Sequence, residues 1–515
     1  MYKLTDNFTP KTWFGQLFGF EEENYNLTQL NFNLISQIVL SGKKLLILKS
    51  KINKREFPIG NFDRPTLEEL RNEVLINYLP TFKSTAEHIV VDDILEMHGI
   101  SENNGAMFQV ASQFNCLEFI TPNEKPENGI TKYQWDNTQG PACSIACAAA
   151  TVYRNYFTPI DDKYNKIRRG QTNEKQINNL EDVLKLLGSD YITVTNGYTF
   201  SSEEKLLLLN NKLKSDFNLR DNIIKNVRIG VHYNIGVTFD KLVRKSYPQN
   251  ASFKEHKNGQ LISQAFCSAI SVNYSGLSKT LWEPFSILIL QATYEATLWS
   301  AIINSKSGGS NKVFLTMVGG GAYGNNSKWI LDAIANAVVA TSDYGLNIKI
   351  CHYKSINRNY EDYLQKKILD LSIFRYNLMK EINELIFNNI SLTDGRWNKF
   401  LSRRENFIAT FNLKFIINSL NERGQTLLYL AARKCNKELV EILLDNGAII
   451  NTYNKDGSTP LLGLVWGFIV AKRENITTTT KTKVIELYNY MKSKGGKDEI
   501  PNLRGETAKL FYQEI

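Results

Sequence analysis

The chain has 515 residues, which is too long for one compact core and enough for two or three domains. Hydrophobic residues make up 43% and charged residues 22%, a composition that excludes a disordered chain and is ordinary for a globular one. The formal net charge of +9 comes without a basic tail or arm, so we expect no nucleic-acid partner.

The six cysteines and the apolar stretches indicate the compartment. Cys143 and Cys147 lie four residues apart in an alanine-rich segment with no histidine near them. We therefore expect no structural zinc, no other metal and no cofactor, and the thiols favour a reducing compartment such as the cytoplasm. Residues 1–20 lack the pattern of a secretory signal, and the apolar stretches are too short to span a bilayer, so we expect no membrane partner.

Strands and helices alternate through the first 355 residues. The predicted strands lie at 44–52, 106–112, 229–238, 262–272, 313–318 and 346–353. The predicted helices lie at 66–76, 141–156, 174–187, 282–304 and 329–338, the last with Ser327 as its N-cap. This alternation predicts α/β layers around a mainly parallel sheet.

A glycine-rich loop separates the fifth predicted strand from the helix that follows it. Gly319, Gly320, Gly321 and Gly324 fall within six residues. Backbone N–H groups of such a loop can approach an anion closely, and the helix dipole adds partial positive charge, so the pattern predicts a phosphate-binding loop. It is neither a Gly-Lys-Ser/Thr P-loop nor a Gly-x-Gly-x-x-Gly dinucleotide motif. The alternative is a tight turn without a ligand.

The glycine loop resembles the diphosphate loop of macrodomains, in which a small-aromatic-glycine triplet closes over ADP-ribose. The triplet here is Ala322-Tyr323-Gly324. The resemblance implies that seven residues bind ADP-ribose: Gly319, Gly320, Gly321, Ala322, Tyr323, Gly324 and Asn325.

An amide-rich turn follows the second predicted strand and contains Gln113 and Asn115. In macrodomains the strand after the first crossover ends in an Asn that contacts the distal ribose. The resemblance therefore implies that Asn115 acts in catalysis and that Gln113 binds the ligand, and an amide suits hydroxyl groups because it both donates and accepts hydrogen bonds. The alternative is that the two amides cap the turn and satisfy backbone groups.

The loop before the predicted helix at 141–156 carries Asp136, Thr138, Gln139 and Gly140. In hydrolytic macrodomains a loop at this point often carries an acid that orients a water beside the anomeric carbon of the ribose. The resemblance implies that Asp136 is this catalytic acid and that Thr138, Gln139 and Gly140 contact the ligand. The usual three glycines are replaced by Thr-Gln-Gly-Pro, and the alternative role for Asp136 is to cap Thr138.

A repeat of 33 residues marks the C-terminal part. The pattern Asn-x-x-Gly-x-Thr at 421–426 recurs at 454–459 and opens a third copy at 502–507. With its Ala-Ala and Leu-Leu helix endings, the pattern resembles the ankyrin repeat. We expect ankyrin repeats over 391–515, with 412–417 in an atypical capping repeat and 356–390 as a helical linker. Such arrays present a concave surface for a protein partner.

As a whole, residues 45–355 are similar to a divergent macrodomain lineage, distantly related to poly(ADP-ribose) glycohydrolase-type folds. Its members include effectors of intracellular bacteria that remove ADP-ribose from proteins such as ubiquitin. The resemblance implies a three-layer α/β/α sandwich over 1–355, with insertions at 1–85 and 158–225. It implies an ADP-ribosylhydrolase that acts on a modified protein side chain in the cytoplasm or, after secretion, in a host cytosol.

Two other functions stay open. The first is a module that binds ADP-ribose or ADP-ribosylated proteins without turnover. The second is a hydrolase with Cys143 as nucleophile, because this thiol lies near a predicted helix N-terminus, which lowers a thiol pKa. Gln139, which precedes it, could serve an oxyanion hole. His232 would then be the partner base.

Overall fold

The computed structural model describes residues 8–39, 43–80, 82–160, 168–188, 191–246, 250–387, 417–421, 423–445, 447–474 and 479–515. The chain divides into two compact units. The first contains Met1–Glu68, Thr85–Ala337 and Leu346–Tyr363, and the second contains Glu69–Ser84, Val338–Gly345 and Leu364–Ile515. Most of the predicted capping repeat, 412–416, lies outside the described residues.

The first unit contains all the strands in the described part of the chain. They are β1 Phe32–Val39, β2 Lys43–Ser50, β3 Glu56–Asp63, β4 Thr85–Val91, β5 Met107–Ala111, β6 Pro159–Ile160, β7 Arg168–Arg169, β8 Thr193–Thr195, β9 Tyr198–Phe200, β10 Gly230–Gly236, β11 Phe239–Ser246, β12 Asn250–Glu255, β13 Leu261–Cys267, β14 Lys312–Leu315 and β15 Asn347–Tyr353. Nine of them form one sheet in the order β1-β2-β3-β10-β13-β5-β14-β15-β4.

In the described part of this region, twelve α-helices precede, separate or directly follow the strands. They are α1 Trp13–Phe18, α2 Tyr25–Leu30, α3 Leu67–Asn77, α4 Ile94–Gly99, α5 Gln139–Ala146, α6 Ala148–Tyr156, α7 Glu181–Leu187, α8 Glu203–Ser215, α9 Phe217–Asn226, α10 Lys279–Lys306, α11 Ser327–Ala340 and α12 Arg358–Phe387. Parts of three of these helices, α3, α11 and α12, belong to the second unit.

The nine-stranded sheet is mixed, which corrects the prediction of a mainly parallel one. The pairs β13–β5, β5–β14, β14–β15 and β15–β4 are parallel. The other half, from β1 to β13, is antiparallel. Strands β1, β2 and β3 come from the N-terminal segment, follow one another through short connections, and extend the sheet as hairpins because only antiparallel neighbours can be joined so briefly.

Helices cover both faces of the sheet, so the fold is a three-layer α/β/α sandwich as predicted. Side chains along a strand point alternately to opposite faces. Gln109 of β5 donates to Thr297 Oγ1 of α10 at 2.9 Å on one face. The preceding residue, Phe108, belongs to a buried cluster with Ile145 and Ala146 of α5 on the other face.

Thr238 splits the helix predicted at 141–156 into α5 and α6. Its backbone N–H donates to the Ala146 carbonyl at 2.7 Å, and its hydroxyl accepts the Ala148 N–H at 2.9 Å. Both groups are thereby removed from the helical ladder, and Cys147 between them adopts φ −123° and ψ 54°. The break depends on a residue far away in sequence, so local periodicity does not reveal it.

Two other predicted helices begin elsewhere than expected. The helix predicted at 174–187 begins only at Glu181, because the preceding residues bond to distant parts of the unit; Asn179, for example, donates its N–H to the Phe114 carbonyl at 2.8 Å. The N-cap of α11 is Asn326 rather than Ser327, since Asn326 Oδ1 accepts the Lys328 N–H at 2.9 Å.

The long helix α10 is the central apolar helix of the first unit. It is long and apolar enough to cross a membrane by length and composition alone. However, 78% of its most apolar stretch is buried inside the unit. Its composition is therefore explained by packing against the sheet.

The second unit contains the repeats. Their helices are α13 Leu427–Arg433, α14 Lys437–Asp445, α15 Pro460–Arg473, α16 Lys481–Ser493 and α17 Ala508–Tyr512. In each of three turns the Asn Oδ1 accepts the N–H four residues later, at 2.9, 2.7 and 2.9 Å. The Thr that ends each pattern caps the next helix: Thr426, Thr459 and Thr507. The three copies predicted from sequence therefore share one turn geometry.

Candidate functional site

The predicted site segments lie at one edge of the sheet. Strands β13, β5 and β14 are adjacent and parallel, so their carboxyl ends meet there. The segments 112–119, 268–274 and 316–326 follow these three strands directly. In open α/β sheets this edge is where ligands bind.

The glycine loop packs on the segment that follows β13. Asn325 donates from Nδ2 to the Ile270 carbonyl at 2.8 Å, and its N–H donates to the Gly319 carbonyl at 2.9 Å. The Asn273 N–H donates to the Tyr323 carbonyl at 3.1 Å. Asn325 thus closes the loop and anchors it in the fold.

The glycines of this loop have different roles. Gly319 and Gly324 have φ of +76° and +74°, and a Cβ would collide with Ala269 at the first and with Asn273 at the second. These two glycines are required by the backbone itself. Gly321, in contrast, is exposed, and a Cβ there would meet nothing within 4 Å. The surface beside Gly321 is therefore where a ligand can approach the loop.

Three tyrosines pack together at the loop. The ring centroids of Tyr198, Tyr274 and Tyr323 lie 4.9 to 5.7 Å apart. Burial, together with Tyr198 and Tyr274, raises the pKa of Tyr323 well above its ordinary value, so its hydroxyl stays neutral. Sequence analysis missed Tyr198, because it comes from β9 in the segment 158–225, far from the motifs along the chain.

The turn after β5 is held together by its own amides. Gln113 accepts the Phe119 N–H at 3.1 Å and donates to the Phe119 carbonyl at 2.6 Å. Asn115 is fully buried, donates to Gln176 Oε1 at 2.9 Å and accepts the Leu117 N–H at 3.1 Å. Both amides thus cap the turn and satisfy backbone groups, as in the alternative to ligand binding. The contact of Asn115 with a ribose stays a prediction.

The β8–β9 hairpin covers this turn. The Phe114 N–H donates to the Gly197 carbonyl at 3.2 Å, and a Cβ at Gly197 would collide with Asn115 Oδ1 and the Gln113 side chain. The hairpin belongs to the predicted insertion at 158–225. It therefore screens Asn115 from solvent.

The loop before α5 splits into an exposed and a structural part. Asp136 accepts the Thr138 N–H through Oδ1 at 2.8 Å, and Thr138 is exposed. Gln139 accepts the Ala111 N–H and donates to the Gln109 carbonyl, both at 2.8 Å, so its amide continues the end of β5. Asp136 caps the turn while keeping a second carboxylate oxygen for other contacts.

Asp136 and the tyrosines are within electrostatic reach of one another. Burial, the neighbouring Tyr274 and the Asp136 carboxylate together raise the pKa of Tyr198 above its ordinary value. Gly140 allows the start of α5 to lie close to the end of β5, because a Cβ there would collide with the Ala111 carbonyl. The loop that carries Asp136 and the three tyrosines packed at the glycine loop therefore lie in one region of the structure. Asn115, Gln113 and Gln139 lie beneath this region.

A buried acid that sequence analysis missed lies under α5. Glu118 is only 3% exposed and accepts the Ser144 hydroxyl at 2.6 Å. Burial raises its pKa to about 7, although Arg154, at 3.7 Å, and the hydrogen bond from Ser144 lower it. The only signal in the sequence is a single acid within an otherwise apolar segment.

Arg154 of α6 completes this buried network. It donates to the Cys116 carbonyl at 3.0 Å and to the Ser144 hydroxyl at 2.9 Å. Its guanidinium also lies over the Phe266 ring, 3.7 Å from the centroid. The network ties the turn after β5 to the helices that follow the Asp136 loop, which fixes the positions of both candidate segments.

The environment of Cys143 argues against a cysteine nucleophile. The thiol is fully buried, and burial raises its pKa well above the ordinary value, so it stays protonated. His232 is also fully buried, and burial together with Arg154 keeps its pKa far below the ordinary range. Gln139, which would serve an oxyanion hole, has its amide engaged with β5.

Among the described residues no cluster of three or more His, Cys, Asp or Glu is arranged for a metal.

The chain is similar to known proteins over two regions. Residues 423–452 match the family model described as Ankyrin repeat, which confirms a repeat there. The chain is similar to the crystal structure of poly(ADP-ribose) glycohydrolase from Thermomonospora curvata, with 10% identity, a TM-score of 0.31 and coverage of 61% of this chain and 91% of that one. It is also similar to poly(ADP-ribose) glycohydrolase from Deinococcus radiodurans in complex with ADP-ribose, with 8% identity, a TM-score of 0.30 and coverage of 61% and 95%.

A search of curated proteins found no match. The sheet order and the repeat match show the fold class directly: a mixed α/β sheet covered by helices, followed by a helical region that contains an ankyrin repeat.

Proposed function

We propose that this protein is a hydrolase that cleaves the glycosidic bond between ADP-ribose and a modified protein side chain, such as one on ubiquitin. The observation that carries the proposal is the glycine loop at the carboxyl ends of parallel strands, directly before the capped N-terminus of α11. Exposed backbone at such a place binds phosphate groups. In this proposal residues 1–355 are the catalytic domain, 356–390 a helical linker and 391–515 the ankyrin repeats.

The diphosphate would lie against the exposed part of the loop at Gly321 and Ala322. Tyr323 supplies a neutral hydroxyl and an aromatic ring beside it. We assign the remaining loop residues to holding this shape: Gly319, Gly320, Gly324 and Asn325.

Asp136 is the proposed catalytic carboxylate. It would take a proton from an attacking water and stabilise the positive charge that develops on the ribose. Thr138, which is exposed beside it, can contact the ligand, whereas Gln139 and Gly140 position the loop.

The first test is calorimetric titration of the full-length protein with ADP-ribose, with ADP and AMP as comparisons. Gly321→Ala and Gly321→Glu form a matched pair, because a Cβ at the exposed Gly321 meets nothing within 4 Å. We expect Gly321→Ala to bind as the wild type does and Gly321→Glu to lose binding, because its carboxylate would repel the diphosphate. Equal binding by both variants, or no binding by the wild type, would overturn the proposal.

The second test separates turnover from binding. Asp136→Asn keeps an oxygen that can accept the Thr138 N–H and removes only the charge. If Asp136 is catalytic, release of ADP-ribose from a modified protein falls by about 10²- to 10⁴-fold while ADP-ribose binding is retained. If the variant turns over normally, Asp136 is a turn cap; binding without turnover in the wild type would favour the reader module.

We further propose that the ankyrin repeats bind a protein partner and that the protein works in the cytoplasm or in a host cytosol. The repeat geometry supports the first part, because ankyrin arrays present extended concave surfaces. Six free cysteines support a reducing compartment.

A further inference from the structure

The second unit contains a cavity of about 990 Å³. One wall is a single face of α12, which includes Arg375, Tyr376 and Lys380. Another wall is formed by the first two ankyrin turns, with Arg423 and Lys455. We call this cavity the basic groove.

Positive charge dominates the lining of the basic groove. Of the 21 described residues that line it, seven are Lys or Arg and two are Asp or Glu. One of the two acids, Asp343, is already paired, because Arg375 Nη2 lies 2.7 Å from its Oδ2 and Lys83 also contacts it. Although burial opposes its ionisation, Arg375 and Lys83 hold the pKa of Asp343 below its ordinary value, so it is ionised and offsets part of their charge.

The ankyrin side presents its cations at places where they reach solvent. Arg423 and Lys455 are exposed and occupy the tips of successive repeat turns. The Lys455 N–H donates to the Gly424 carbonyl at 2.8 Å, and a Cβ at Gly424 would collide with the Lys455 side chain. The stem of Lys455 is thereby held against the first turn, the turn that also carries Arg423.

The α12 side adds apolar surface. Tyr376 is 47% exposed at the groove, an unusual exposure for an aromatic ring in the middle of a long helix. Aromatic side chains with one wet face are enriched where proteins bind one another. The groove therefore combines clustered cations with an aromatic anchor.

We propose that the basic groove binds an acidic segment of the partner protein, with carboxylates against Arg423, Arg433 and Lys455 and an apolar side chain against Tyr376. This inference names the partner chemistry for the protein-binding role proposed above, and it is independent of the ADP-ribose site in the first unit. Charges of this kind set the partner and the association rate.

The chain offers a matched pair of variants for the test. Arg423 and Arg504 occupy the same position in their repeat turns, two residues after the Asn, yet only Arg423 lines the groove. Both side chains are exposed, and neither substitution touches the Asn, Gly or Thr of the turn. The probe is a fluorescein-labelled peptide of repeating Glu-Glu-Leu units, with Gln-Gln-Leu as the uncharged comparison, measured by fluorescence polarisation on the full-length protein.

We expect the acidic peptide to bind and the uncharged one to bind far more weakly. Arg423→Glu should weaken binding by about tenfold or more, Arg504→Glu by less than about twofold, and salt near 1 M should abolish it. Equal losses in the two variants, or tighter binding of a single-stranded oligonucleotide than of the acidic peptide, would overturn the proposal. Titration of Arg423→Glu with ADP-ribose distinguishes the two sites. If the variant binds ADP-ribose as the wild type does, the first unit is unaffected, and this holds whether or not the variant binds the peptide.

Discussion

The buried acid Glu118 should make the stability of the first unit depend on pH. Its pKa is about 7 in the folded protein against an ordinary value of 4.5. Between these values the folded state binds more protons than the unfolded state, so stability falls as pH rises through this window and is lowest above it. A difference of about 2.5 in pKa corresponds to about 3 kcal/mol.

The measurement is urea unfolding, followed by tryptophan fluorescence, of the wild type and Glu118→Gln near pH 5 and pH 8. The variant leaves Arg154 without its carboxylate at every pH, which shifts its stability by a constant, so the comparison uses the change with pH and not the stability itself. We expect the wild type to lose about 2.5 kcal/mol more than the variant over this interval. Glu124→Gln, at a partly exposed acid paired with Lys132, should behave as the wild type. If wild type and Glu118→Gln lose stability in parallel, Glu118 does not titrate in this window and the expected rise of its pKa is refuted.

Three further predictions follow from the glycine loop, the repeats and the buried thiol. Gly319→Ala should destabilise the protein by about 1–3 kcal/mol in thermal unfolding because of its positive φ and the collision with Ala269, whereas Gly321→Ala should leave the melting temperature unchanged; the reverse order would refute the two assignments. Thr459→Ala should lower stability by about 1 kcal/mol, since its hydroxyl accepts the Leu462 N–H as the N-cap of α15, and an unchanged urea midpoint would count against this. Iodoacetamide should not label Cys143 in the folded protein, as peptide mapping would show, because the thiol is buried and protonated; rapid labelling that stops turnover would revive the nucleophile hypothesis.

Short-range patterns explain what the sequence predicted well. The repeat turn depends on one Asn and one Gly whose roles are set within six residues, so three copies could be aligned without a structure. The glycine loop was found in the same way, because its strand, turn and helix are contiguous. The sheet itself was predicted, but its mixed strand directions were not. The direction of each strand depends on how it is connected to its neighbours, which local periodicity does not encode.

Long-range packing explains what the sequence did not predict. Tyr198 reaches the glycine loop from a hairpin more than one hundred residues earlier, and no motif links the two. Asn115 is predicted as a ribose ligand from its place at a strand end, and only the structure reveals that it is buried and donates to Gln176. The pKa of Glu118 results from burial beneath α5, which is a property of the folded state alone.

By itself, the sequence determined some of the local elements of this protein: the ankyrin turns, the glycine loop, the strands β2, β5, β10, β13, β14 and β15, and the long helices α10 and α11. These depend on backbone geometry and on apolar spacing within a few residues. Only the tertiary structure decided which of these elements meet, which amides are used to hold turns and which acid keeps its proton. Hydrogen bonding and desolvation depend on neighbours from distant parts of the chain, and such neighbours exist only once the chain has folded.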